Sequence, residues 1–225
     1  MKVWPIALSL LMFAAGDVAA ESDCFAYPAP GVNWSGCSRE RLMLTGDNLE
    51  GADLTGAIMN GSNLANANLA RAKLDFAEIS RASFKLANLA HSSLEKASGT
   101  RVEFEEADLS GARMAKIDLN RSNFTRAKLA GVDISKGKLT RCDFRFADLT
   151  GANLRRANLE RSILTGANLA GADFTEVYLY RTIVTGADLS GVTGLRQDQL
   201  DKACGDAVTK LPSGLMASSR WPCDE

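Results

Sequence analysis

The chain is poor in the residues that most enzymes and metal proteins lean on. It has one histidine, His91, in 225 residues, and aromatic residues make up 7%. Histidine is the side chain most used for proton transfer near neutral pH and for holding zinc, so its scarcity weighs against both chemistries. Charge of one sign is also lacking: 26 Lys and Arg face 27 Asp and Glu, a formal net charge of −1. A balanced chain has no general attraction to nucleic acid and is not a strongly acidic imitation of it. Five cysteines are present, with no pair spaced for redox work and no cluster with metal-ligand spacing. These absences point away from an enzyme and name no cofactor.

The amino terminus reads as a secretory signal over residues 1–20. Lys2 is the positive region, Val3 to Ala15 is the apolar region, and Val18, Ala19 and Ala20 precede a cut near Glu21. The apolar run is too short to span a bilayer, so no transmembrane segment is expected in the mature chain. Export places the protein in an oxidising compartment, a bacterial periplasm or the medium. Cysteine placement agrees with this. Cys24 and Cys37 stand before the central region and Cys204 and Cys223 after it. One disulfide at each end is the simplest pairing, although four cysteines allow three connectivities. Cys142, inside the central region, is expected to be a buried, inert thiol.

From Leu44 to Leu189 a large apolar residue recurs every fifth position, through Leu49, Leu54, Met59 and Leu64 onward, with one gap at Gly99. Two places before each stands a small residue, such as Ala52, Ala57, Ser62, Ser122, Cys142 or Ala152. A period of five is neither helical nor strictly alternating. It suits a short extended segment followed by a turn, stacked in coils so that backbone groups pair between layers. Coil length follows from stacking like on like. At a spacing of twenty, Phe84, Phe104, Phe124 and Phe144 share one column, and the next column is leucine from Leu49 to Leu189. Four units per coil, a four-sided rod, is the expectation. Gly99 is expected to be a local defect filled by a neighbour, a backbone shift or a small cavity.

The outward positions repeat in the same way. Arg81, Arg101, Arg121, Arg141, Arg161 and Arg181 lie twenty apart along one edge, and Lys96, Lys116, Lys136 and Arg156 along the next. Six guanidinium groups in a row suit a repeating anion. The competing expectation is that Glu103, Glu105, Asp143 and Glu160 on adjacent faces neutralise them. The recurring carboxylates, Asp53, Asp133 and Asp173 among them, are expected to make outward hydrogen bonds beside the strand.

Units such as Gly51-Ala52-Asp53-Leu54-Thr55 and Gly171-Ala172-Asp173-Phe174-Thr175 resemble those of the pentapeptide repeat proteins. That resemblance implies an all-β solenoid, a right-handed quadrilateral β-helix. The lead-in Pro30 to Cys37 and the segment Gln199 to Asp206 resemble the flanks of such proteins. The expected layout is a signal peptide (1–20), a cysteine-flanked aromatic plug (21–40), the repeat (41–194), and a helical cap and tail (195–225) with its helix over about Gln197 to Val208. Among similar proteins some dimerise through this carboxyl end, and some cytoplasmic ones imitate DNA and bind a topoisomerase. The near-zero net charge and the signal peptide oppose the second role here. The sequence therefore predicts a non-enzymatic, exported structural or interaction module with an unidentified protein or anionic envelope partner, and no nucleic-acid partner.

Overall fold

A computed structural model of the protein describes residues 22–222. The expected signal peptide and Cys223 lie outside the described residues.

The fold is a stack whose logic can be read from one unit. The N–H of Asp53 donates to Val32 O in the coil before, and those of Leu54 and Gly56 donate to Lys73 O and Asp75 O in the coil after. The N–H of Ala57 closes a turn onto Leu54 O. Thr55 alone finds no backbone carbonyl, and the Asp53 carboxylate accepts its N–H at 3.1 Å. This is why Asp or Asn recurs beside the central leucine: the side chain supplies the one acceptor that the coil lacks. Asn123, Asp133, Asp173 and Asp188 do the same for the residue two places on.

Parallel bridges join residues twenty apart in an unbroken series from Asn33↔Asp53 to Asp173↔Thr193. The ladder therefore starts inside the segment expected to be a plug. Most positions contribute a single bridge. Only β1 (Ser98–Thr100) and β2 (Asp118–Asn120) pair over three residues, with Gly99 opposite Leu119. The large and small columns both point inward, and the interior is mostly Leu, Ala and Phe. Phe84, Phe104, Phe124 and Phe144 stack with centroids 5.1, 4.9 and 4.7 Å apart. Those distances also measure the rise per coil, close to ordinary strand spacing.

Gly99 is closed off by its neighbours. A Cβ there would lie 2.9 Å from Val102 Cγ2 and 3.1 Å from the backbone of Ile79 and Ser80. Val102 stands in a column that holds Ala82 and Ser122, so its extra bulk takes up volume the missing leucine leaves. Ile117 and Gly137 show the reverse trade. A large residue sits in a small column, and one coil later a glycine lies 3.3 Å, by its would-be Cβ, from Ile117 Cγ2.

Both ends are closed, in ways that correct the sequence expectation. At the amino end Cys24 and Cys37 form a disulfide. Trp34 is fully buried as the first member of an inward column, and its indole N–H donates to Ala26 O at 3.2 Å. Arg39 covers it, the guanidinium 4.2 Å from the ring centroid. Phe25 and Tyr27 are not part of any plug: they are 94% and 90% exposed. At the carboxyl end α1 (Gln197–Leu200) is a single turn, shorter than the helix expected to Val208. The reason is the open ladder beneath it. Cys204 and Lys210 return to bridge Ile183 and Asp188, taking up backbone groups that a longer helix would leave unpaired. The buried Gln199 amide caps Phe174 O and Val177 O at 3.0 and 2.8 Å. Trp221 lies against Gly205 and donates to Ala203 O at 2.8 Å. Cys204 is disulfide-bonded.

Candidate functional site

The fifth residue of each unit turns the corner in the left-handed region. Gly51, Gly56 and Gly61 do so with φ of 65°, 65° and 69°. Glycine is the residue that reaches this region without strain, whereas an L side chain there costs roughly 1 to 2 kcal/mol. The arginine column occupies this position. Arg81, Arg101, Arg121, Arg141, Arg161 and Arg181 have φ between 54° and 60°. All six are exposed. Arg41 continues the line below Gly61.

The expected neutralisation of this edge is found at Arg161 alone among the described residues. Glu105 pairs with Lys85 at 2.9 Å, in its own column. Asp143 pairs with Arg145, and Glu103 accepts from the Asn123 amide at 2.9 Å. Glu160 approaches Arg161 only at 3.8 Å. Arg41, Arg81, Arg101, Arg121 and Arg141 have no carboxylate within 4.0 Å among the described residues. The physical cause is direction. Most face carboxylates bond the turn N–H beside them or a cation on a face, although Glu50 does reach the corner residue Arg71 at 2.8 Å.

The neighbouring basic column differs. Lys96 lies over the Phe76 ring at 4.7 Å, and Arg156 holds Glu176 at 2.7 Å. Between the two basic edges runs a face that sequence reasoning passed over. Immediately before the arginines stand Ser80, Thr100, Asn120, Thr140, Glu160 and Tyr180. Tyr178 and Tyr180 face each other with centroids 6.3 Å apart, and Arg181 lies 5.8 Å from the Tyr180 ring centroid. Asn120, Arg121, Thr140, Arg141 and Arg161 line a shallow groove of about 300 Å³. Applying the spacing of twenty one residue before each arginine would have found this column.

The ladder spacing, the inward columns and the left-handed corner all follow one five-residue unit. The family described as pentapeptide repeats matches the chain in eight copies between residues 48 and 191. The chain belongs to the pentapeptide repeat family. Among solved structures, this pentapeptide repeat protein is similar to HetL, a pentapeptide repeat protein involved in heterocyst differentiation regulation from the cyanobacterium Nostoc sp. strain PCC 7120. The two are 26% identical over 82% of this chain and 91% of HetL, with a TM-score of 0.51. A trypsin-treated form of QnrB1, a plasmid-mediated fluoroquinolone resistance protein, is 19% identical over 75% of this chain and 92% of its own, with a TM-score of 0.62. Full-length QnrB1 is 17% identical over 80% and 91%, with a TM-score of 0.59. The likeness to QnrB1 is one of fold. No curated protein sequence matches the chain.

Elsewhere in this pentapeptide repeat protein the reactive side chains are structurally occupied. Cys142 is buried, its Sγ donates to Leu119 O at 2.8 Å, and burial pushes its thiol up to about 12. Such a thiol stays protonated and unreactive. For Asp53 burial acts to raise the pKa, but hydrogen bonds from Thr55 and the charge of Lys73 outweigh it and hold the carboxyl below its usual range. His91 sits at a corner with φ of 58°, its ring laid over Gly111 in the next coil. It is a packing substitute for glycine at a turn.

Proposed function

We propose that this pentapeptide repeat protein is an exported, non-enzymatic interaction module that presents its arginine edge to an anionic partner. The observation that carries the reading is the placement of the arginines. Six of them occupy left-handed corners that glycine reaches without strain, and most have no carboxylate to neutralise them among the described residues. Other side chains, Leu86 and Glu106 among them, take the same left-handed turn, so the weight falls on the unbroken run of one cation along one edge. The bridge spacing of twenty supports four five-residue sides per coil, and family likeness supports the right hand. Export is supported by the sequence of residues 1–20 and by the Cys24–Cys37 disulfide, which suits an oxidising compartment. For self-association we place the contact at the carboxyl end, where Val208 and Met216 are exposed.

Imitation of DNA calls for an acidic rod, and an unbroken line of exposed arginines along one edge opposes it. The test compares the protein with a variant carrying Arg121→Glu, Arg141→Glu and Arg161→Glu. Capture of inorganic polyphosphate, anionic vesicles or envelope extract should fall sharply in the variant and weaken with salt. Equal capture by both proteins would remove the arginine edge from the account. Recovery of the protein from cytoplasmic fractions with residues 1–20 intact would remove export.

A further inference from the structure

The arginine edge is one residue wide, and that width limits what it can hold. On one side stand Glu103 and Asp143, and on the other Glu78 and Asp118. A flat anionic surface pressed against this corner would meet those carboxylates as well as the arginines. A linear polymer following the line would meet mostly the arginines. The second constraint is spacing. One arginine recurs per coil, and the coil rise read from the phenylalanine stack is 4.7 to 5.1 Å. A polymer bearing one carboxylate per sugar ring repeats its charge at close to this distance, whereas each strand of duplex DNA advances about 3.4 Å per phosphate. The third is the chemistry beside the line. Ser80, Thr100, Asn120 and Thr140 offer hydroxyl and amide groups, Glu160 is taken up by Arg161 at 3.8 Å, and at the carboxyl end the exposed Tyr178 and Tyr180 offer ring faces. Hydroxyl-bearing rings with a regular carboxylate need this combination: forked donors for carboxylate, small polar partners for hydroxyls, and aromatic faces for the C–H side of a sugar. Single-stranded nucleic acid would ask for stacking platforms along the whole line, and from Ser80 to Thr140 the residues immediately before the arginines carry no ring.

We infer that the edge along Arg81 to Arg181 binds a linear acidic polysaccharide of the polyuronate class, its carboxylates taken by arginines along the run, with its terminal rings against Tyr178 and Tyr180. The inference rests on the proposed anionic-partner reading of the same edge. No covalent step is involved.

The probe is polygalacturonate, titrated calorimetrically as oligomers of graded length into the protein. Affinity should rise with length until the chain spans the arginine run and then level off. Replacing Arg121, Arg141 and Arg161 together by glycine suits the left-handed backbone, so the fold should persist while affinity falls at least about tenfold. Tyr178→Ala with Tyr180→Ala should weaken polygalacturonate severalfold and leave polyphosphate binding unchanged. Fully methyl-esterified polygalacturonate should not bind. Binding of polyphosphate or phosphatidylglycerol vesicles through the arginines, with none of polygalacturonate, would overturn the inference and leave the anionic-partner reading standing. Equal binding of the esterified polymer would also overturn it. If none of these probes binds, both fail.

Discussion

At the corner carrying Gly111, Gly131 and Gly151 the chain turns with φ of 64° to 65°. At the corner half a coil away Arg101, Arg121 and Arg141 turn with φ of 56° to 60°. The backbone task is the same, and the side chains are as different as any two could be. In these coils one corner holds the residue that the turn prefers, where earlier coils carry Arg71 and His91, and the other holds a long cation in a strained setting from Arg81 to Arg181. The difference separates what the fold requires from what the surface is for. Interior columns are shared by both corners and cannot explain it.

The largest test of that separation removes the shared interior. Phe124→Ala should cost roughly 3 to 5 kcal/mol in urea unfolding, because a ring stacked between Phe104 and Phe144 leaves a cavity in a close-packed column. A variant that unfolds like the parent would mean the corners, not the columns, hold the coils together.

A second pair of changes should move stability in opposite directions. Following the arginine corner, Ser162 donates to Leu139 O at 2.5 Å and accepts the Cys142 N–H at 3.0 Å, so Ser162→Ala should cost about 1 to 3 kcal/mol. Following the other corner, the Ser92 hydroxyl is buried with no partner among the described residues, so Ser92→Ala should gain about 1 kcal/mol. Thermal unfolding of the two variants checks the signs, and a shared sign would mean the hydroxyls serve both corners alike.

Third in size is the corner itself. Gly131→Arg, at φ of 65° with no atom near its would-be Cβ, should cost about 1 kcal/mol, backbone strain being partly offset by the freedom that glycine loses on folding. A neutral result in urea unfolding would show that the turn does not discriminate between the two residues. The smallest effect concerns the tail on the face leading to the glycine corner. Hydrogen bonds from Ser190 and then Lys210 pull the Asp188 carboxyl down to about 2. Its folded pKa lies below the usual carboxylate value of 3.8, so its contribution is present above about pH 4 and fades as pH falls towards 2. Asp188→Asn should remove that part of the acid dependence, read as amide exchange at Lys210 compared between pH 4 and pH 2. Unchanged exchange behaviour would mean the Asp188 and Lys210 pair does not tether the tail.

The sequence carries the columns and not the corners. A spacing of twenty is visible because phenylalanine and leucine stack on their own kind, and the bridges run at that spacing. Burial of Cys142 follows from its place among alanines. The left-handed turn was hidden because arginine, lysine and phenylalanine share the position with glycine, which masks the backbone signal. Ion-pair partners were misjudged for a geometric reason: Glu105 reaches along its column to Lys85, and Asp143 reaches two residues on to Arg145, while the arginines point off the corner. The tail was read as a longer helix because an apolar face was counted without counting the open backbone groups beneath it. Val102, closing the space at Gly99, is a compensation between columns that no single column displays.

The central claim is that the arginine edge belongs to the surface and not to the fold. Urea unfolding of the protein in which Arg121, Arg141 and Arg161 are all glycine tests it most directly. The account predicts stability equal to the parent or higher by up to about 1 kcal/mol per site, with polyanion capture lost. A clear loss of stability with capture intact would contradict it.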